Sequence, residues 1–164
     1  MKKLLFILIA LPMIGFGQTS WSNIDDAESF ISLNILKNRL VNNEISFFYS
    51  MGFMHGDLLL TEKIEFFQSP SDKIDYHYKL PKKEIASFDF EFIENSNWVL
   101  ITFYMRNNSN LITRYNFNGG KLVNKKNVSS FSLVLSKEIL AIEIEFKEAI
   151  NYLISTYGSE PLID

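Results

Sequence analysis

Residues 45–66 read ISFFYSMGFMHGDLLLTEKIEF, and their apolar side chains recur at every second position. Ile45, Phe47, Tyr49, Met51 and Phe53 alternate with Ser46, Phe48, Ser50, Gly52 and Met54. Leu58, Leu60, Ile64 and Phe66 are set against Thr61, Lys63 and Glu65. Successive side chains of a strand point to opposite faces, so a period of two predicts two strands, each with one face turned to a core. His55, Gly56 and Asp57 between them supply a tight turn.

The same period continues downstream. After a loop at Gln68 to Asp72, marked by Pro70, the residues Ile74, Tyr76, Tyr78 and Leu80 alternate with Asp75, His77 and Lys79 until Pro81 ends the strand. Phe88, Phe90 and Phe92 form the core face of the next strand, opposite Asp89 and Glu91. Asn95, Ser96 and Asn97 turn the chain into Val99, Ile101, Phe103 and Met105. A polar turn at Asn107 to Asn110 precedes Leu111, Thr113, Tyr115 and Phe117, and Asn118-Gly119-Gly120 is the strongest hairpin signal in the chain. Its return strand reads as short, Lys121 to Val123, followed by a basic polar loop with Lys125 and Lys126 and a last strand through Phe131, Leu133 and Leu135. The whole reads as a meander of antiparallel strands.

At both ends the period lengthens to that of a helix. Ser22 or Asn23 can cap an N-terminal helix whose first turn carries Asp25, Asp26 and Glu28, where the positive end of the helix dipole favours acids. Ile24, Ala27, Ile31 and Ile35, with Phe30, Leu33, Leu36 and Leu40, form its apolar face, and Asn42 and Asn43 stop it. Near the C-terminus Ile142, Phe146, Ala149, Ile150, Leu153 and Tyr157 share one face of a second helix, with Gly158 as its stop. The fold class is therefore mainly β within α+β.

The chain has 164 residues, 47% of them hydrophobic and 15% aromatic, with a formal net charge of -3. That richness in large apolar side chains describes a chain able to bury a core, and the length describes one domain. Sixteen Lys plus Arg against 19 Asp plus Glu argue against a nucleic-acid surface, which needs a basic excess. With no cysteine there is no disulfide, thiol nucleophile or cysteine metal cluster. Lys2 and Lys3, the apolar run Leu4 to Leu11, Pro12 and the small-residue pattern Gly15-Phe16-Gly17 have the three regions of a secretory signal peptide. Residues 1–17 are read as that signal, cleaved before Gln18, and residues 18–164 as one exported domain, periplasmic or extracellular. The apolar run falls short of the roughly 20 residues a membrane span requires. Without Lys2 and Lys3 the charge becomes 14 minus 19, or -5.

The stretch Glu84-Ile85-Ala86-Ser87-Phe88, the later Trp98-Val99-Leu100-Ile101-Thr102-Phe103 and the helix from Phe146 to Gly158 resemble the central strands and closing helix of bacterial PH-like (pleckstrin homology-like) domains of unknown function. The resemblance implies an antiparallel sheet of about seven strands over residues 44–158, closed by the C-terminal helix, with the N-terminal helix as an addition. Phosphoinositide-binding members carry Lys and Arg in the first hairpin turn. Met54, His55, Gly56 and Asp57 offer no fixed positive charge, so headgroup recognition does not carry over. A lipocalin-like barrel and a helix-on-sheet arrangement fit the same alternation.

The chemistry legible in the chain is sparse. His55 and His77 fall in different elements, and Asp89 and Glu91 lie two apart on one strand face. Convergence of a histidine with those acids would mark a hydrolase; separately they are ordinary solvated residues, and no catalytic residue, cofactor or metal site is expected. The aromatic richness fits core filling, or a carrier of a small apolar ligand. Phe48, Met54, Leu59 and Phe67 stand opposite the core set and form the candidate surface for an unidentified protein or peptide partner. The competing expectation is that the N-terminal helix covers Phe48 and Phe67 through Ile31 and Ile35.

Overall fold

Asn23 starts the first helix: its side-chain oxygen accepts the backbone N–H of Asp26 at 2.8 Å. The computed structural model describes residues 21–54, 56–69 and 73–159, so residues 1–17, read from the sequence as a signal, and His55 lie outside the described residues. Helix α1 runs Ile24–Lys37 and buries Ala27, Ile31 and Ile35. It stops earlier than the sequence predicts. The backbone N–H of Asn38 bonds to Asn34, Arg39 then bridges to Leu135, and the carbonyl of Leu40 accepts the N–H of Phe47. Leu33 and Leu36, expected on the apolar face, are exposed. At about 100° per residue they turn roughly 200° and 140° from Ile31, off the stripe that Ile31 shares with Ile35.

The strands are β1 (Ile45–Phe53), β2 (Asp57–Phe66), β3 (Ile74–Pro81), β4 (Ile85–Phe92), β5 (Trp98–Met105), β6 (Ile112–Asn118), β7 (Lys121–Val128) and β8 (Ser130–Ser136), followed by helix α2 (Glu143–Ser159). All pair antiparallel, in a five-stranded sheet of order β1-β2-β3-β6-β7 and a three-stranded sheet of order β4-β5-β8. The mainly β, α+β class is observed, with eight strands among the described residues where about seven were expected. Neither sheet closes on itself, which sets aside a closed barrel.

The expected meander is broken in the middle. β3 pairs with β6 instead of β4. Pro81 and a one-turn 3-10 helix at Lys82–Glu84 divert the chain, and the β4–β5 hairpin leaves to found the second sheet. A turn through Asn107 and Asn108, at φ 55° and 53°, brings it back. Asparagine enters that left-handed region more readily than most residues, which suits it to this corner. Lys125 and Lys126 lie inside β7, not in a loop. As the edge strand, exposed on both faces from Lys121 to Asn127, β7 has no apolar alternation to reveal it. Gly119 and Gly120 turn into it with φ 57° and 78°, the geometry that hairpin turn demands.

One connected core joins the sheets and helices. Phe47, Tyr49 and Met51 from β1, Leu58 and Leu60 from β2, Val99, Ile101, Phe103 and Met105 from β5, and Phe131, Leu133 and Leu135 from β8 all point into it. So do Phe146, Ala149, Ile150, Leu153 and Tyr157 of α2, the face predicted for that helix. Gly158 does not stop α2, which continues through Ser159. Phe92, predicted as core, is exposed at the end of the edge strand β4. The apolar space among Ile31, Met51, Leu58, Phe103 and Leu153 measures about 20 Å³, room for roughly one water and not for a ligand.

Candidate functional site

Because side chains alternate, the registers of the five-stranded sheet define rows across its solvent face. The first row is Phe48, Lys63, Asp75 and Phe117; the next is Ser50, Thr61, His77 and Tyr115; the third is Gly52, Leu59, Lys79 and Thr113. The side chains that α1 and α2 bury belong to the core on the other side of this sheet. Phe48, Leu59, His77, Tyr115 and Phe117 are half-buried on this face, beside exposed Ser50, Lys63 and Lys79.

Short-range contacts hold this face in place. His77 Nε2 lies 2.9 Å from Asp75 Oδ1, and its ring is 4.7 Å from that of Phe117. Lys79 pairs with Asp57 at 3.0 Å, and that hydrogen bond raises its pKa. Lys125 Nζ stands 5.6 Å from the Tyr115 ring centre. A depression of about 330 Å³ opens among Leu59, Thr61, His77, Lys79, Tyr115 and Phe117. Chemically it offers aromatic surface, one imidazole and one ammonium group, a set suited to adsorbing a partner.

The four partner-face residues fall along the β1–β2 hairpin without making one patch. Phe48 and Leu59 share the solvent face two rows apart. Met54, 58% exposed, sits at the hairpin turn, with its N–H bonded to the carbonyl of Asp57. Phe67, 49% exposed, lies beyond the other end, where its N–H meets the carbonyl of Glu44. Ten residue steps of strand separate those ends, about 34 Å. The expectation that α1 covers Phe48 and Phe67 is not met: Ile31 and Ile35 enter the core beneath the sheet's opposite face. Tyr115 and Phe117 belong to the face as well, and the sequence reading passed over them because it lacked the β3–β6 pairing.

Other candidates separate. Asp89 and Glu91 are exposed on β4, in the other sheet from His77. Among the described residues no three His, Asp or Glu side chains gather as metal ligands.

One titratable cluster was missed altogether. Glu62 of β2 is only 8% exposed. Tyr49 donates to its Oε1 at 3.2 Å and Tyr78 to its Oε2 at 2.8 Å. Tyr49 in turn accepts the backbone N–H of Val134 at 2.9 Å, so the carboxylate is tied to the second sheet through one hydroxyl. Burial raises the pKa of Glu62, against the lowering effect of both tyrosine hydrogen bonds and of the Arg114 charge. Burial and then the Glu62 charge raise both tyrosines, which remain proton donors. The Arg114 guanidinium lies 4.6 Å from the Tyr76 ring centre. The signal was present: Glu62 has the inward parity of Leu58, Leu60 and Ile64.

A second, partly buried contact joins three elements. Lys82 Nζ meets Glu28 Oε1 of α1 at 2.9 Å and lies 4.9 Å from the Tyr157 ring centre of α2; the Tyr157 hydroxyl donates to the same Glu28 oxygen.

No protein-family model matches this chain, and no match is found among curated proteins or solved structures. Among the described residues no helix is long and apolar enough to cross a membrane.

Proposed function

We propose that the chain is an exported, PH-like binding module that acts by docking a protein or peptide partner on the solvent face of its five-stranded sheet. The observation that carries this reading is the set Phe48, Leu59, His77, Tyr115 and Phe117, which shares one sheet face left uncovered by both helices. A soluble fold gains little from aromatic rings kept half in water, whereas the same rings buried against a partner act as anchors. The N-terminal segment, with its charged start, short apolar run and small-residue exit, supports export.

The test is site-specific photo-crosslinking in the native host. A photoreactive phenylalanine replaces Phe48 or Tyr115 on this face, and Asp89 or Glu91 on the solvent face of the other sheet. The reading predicts one defined adduct from positions 48 and 115 and none from 89 and 91. Adducts from 89 and 91 alone, or none from 48 and 115, contradict it.

A further inference from the structure

A sheet of two open edges exposes unpaired backbone N–H and C=O groups unless something covers them. Here two of the four strand edges, those of β1 and β8, are met by backbone or side-chain hydrogen-bonding partners. The edge of β1 is met by the segment before it, through the Leu40 carbonyl and the bridge from Val41 to Ser46. The edge of β8 is met by Arg39 at Leu135, by the Asn38 carbonyl at Ser136 and by the Tyr49 hydroxyl at Val134. Helix α2 packs against β4, with Lys147 Nζ 4.9 Å from the Phe90 ring centre, without a backbone hydrogen bond to that edge among the described residues. Among the described residues β4 and β7 both lack a backbone partner on the outer edge; β4 carries the acids Asp89 and Glu91, whereas β7 carries Lys121, Lys125 and Lys126.

The edge of β7 is also the basic part of an acidic chain. All 19 acids of the sequence fall at or before Glu94 or at or after Glu138, while Arg106, Arg114, Lys121, Lys125, Lys126 and Lys137 lie between. On β7 and its neighbour the cations are spread over both faces: Arg114 is registered with Lys126 on one, and Lys125 with Tyr115 on the other. A register shift next to Val123 interrupts the strand near its hairpin, leaving Asn124 to Val128 as the regular stretch.

We propose that β7 receives an extended acidic peptide, added as a further strand along Asn124 to Val128. Strand addition satisfies donors and acceptors alternately, which phosphate oxygens cannot do because they only accept; the edge therefore favours a peptide over a nucleic acid or another polyanion. A second copy of this chain is disfavoured, since antiparallel pairing of two β7 strands sets lysine-rich segments against each other. Acidic residues at successive partner positions meet Lys126 and Arg114 on one face and Lys125 on the other. This inference rests on the reading of the chain as a binding module and names the partner chemistry of a surface next to the docking face.

The probe is a fluorescent twelve-residue peptide of alternating Glu and Val, titrated into the full chain at low salt. Controls are the same peptide with Lys for Glu, one N-methylated at alternate backbone nitrogens, and a short DNA duplex. The expected result is saturable binding of the acidic peptide, weakened about tenfold or more by Lys125→Glu with Lys126→Glu and by N-methylation, with little binding of the Lys peptide. The milder pair Lys125→Gln with Lys126→Gln weakens it in the same direction and guards against misfolding of the reversal variant. Equal binding by the N-methylated peptide or the DNA means a surface that reads charge alone and overturns the proposal. So does unchanged affinity in the charge variants, or a dimer that the same substitutions dissolve. Crosslinks from position 48 that persist in Lys125→Glu with Lys126→Glu keep the binding-module reading while the edge proposal fails.

Discussion

Placing a carboxylate between two sheets costs several kcal/mol unless hydrogen bonds replace the lost water. Glu62 meets that condition through the hydroxyls of Tyr49 and Tyr78. Burial nevertheless holds its pKa above the ordinary 4.5, so the folded chain binds this proton more tightly than the unfolded one. Its contribution to stability is fully present below the unfolded value and is lost as pH rises through the higher folded value. Glu62→Gln keeps an acceptor oxygen and removes the charge. In urea melts at about pH 4 and about pH 7 the variant should gain stability relative to the parent as pH rises; an unchanged difference would show that Glu62 titrates normally. The residue was legible as inward-facing by parity alone. Its role was not, because that depends on Tyr78 from β3 and Val134 from β8, partners that only the three-dimensional pairing supplies.

The elements differ in how plainly the sequence marks them. α2 is evident because Phe146, Ala149, Ile150, Leu153 and Tyr157 are all core residues at helical spacing, and each is buried. Leu153→Ala should therefore cost about 2 to 5 kcal/mol, whereas Ile144→Ala, on the exposed side, should change little. Equal losses in urea melts would mean that α2 presents another face to the core. β7 is hard to see because an edge strand wet on both faces has the composition of a loop. The joint of α1, the β3–β4 corner and α2 is illegible for a different reason: Glu28 reads as an ordinary first-turn acid. Lys82 and Glu28 are both mostly buried, so Glu28→Ala leaves an unpaired ammonium group and should cost about 2 kcal/mol. Glu65→Ala, which breaks the exposed pair with Lys73, should cost under about 0.5 kcal/mol. Similar losses in the two variants would show that the Glu28 contact adds nothing to the joint.

At the scale of the whole molecule, strand period gave the fold class, but the division of strands between two sheets was invisible to it. Alternation says which side chains share a face of one strand and nothing about which strands are neighbours. β3 could pair with β4 or β6 on the same pattern, and the corners at Pro81 and Asn107–Asn108 decide the matter. That division brings Tyr115 and Phe117 beside His77 and extends the candidate face beyond Phe48 and Leu59. A docking face must be dispensable for folding, and two adjacent residues of β1 on opposite faces test whether this one is. Phe47→Ser puts a hydroxyl and a cavity into the core and should cost about 3 kcal/mol or more, while Phe48→Ser should cost about 1 kcal/mol or less. Urea unfolding of both variants beside the parent gives the answer: a large loss for Phe47→Ser alone leaves the face free for a partner, and equal losses would show that Phe48 is core and that the proposed docking surface does not exist.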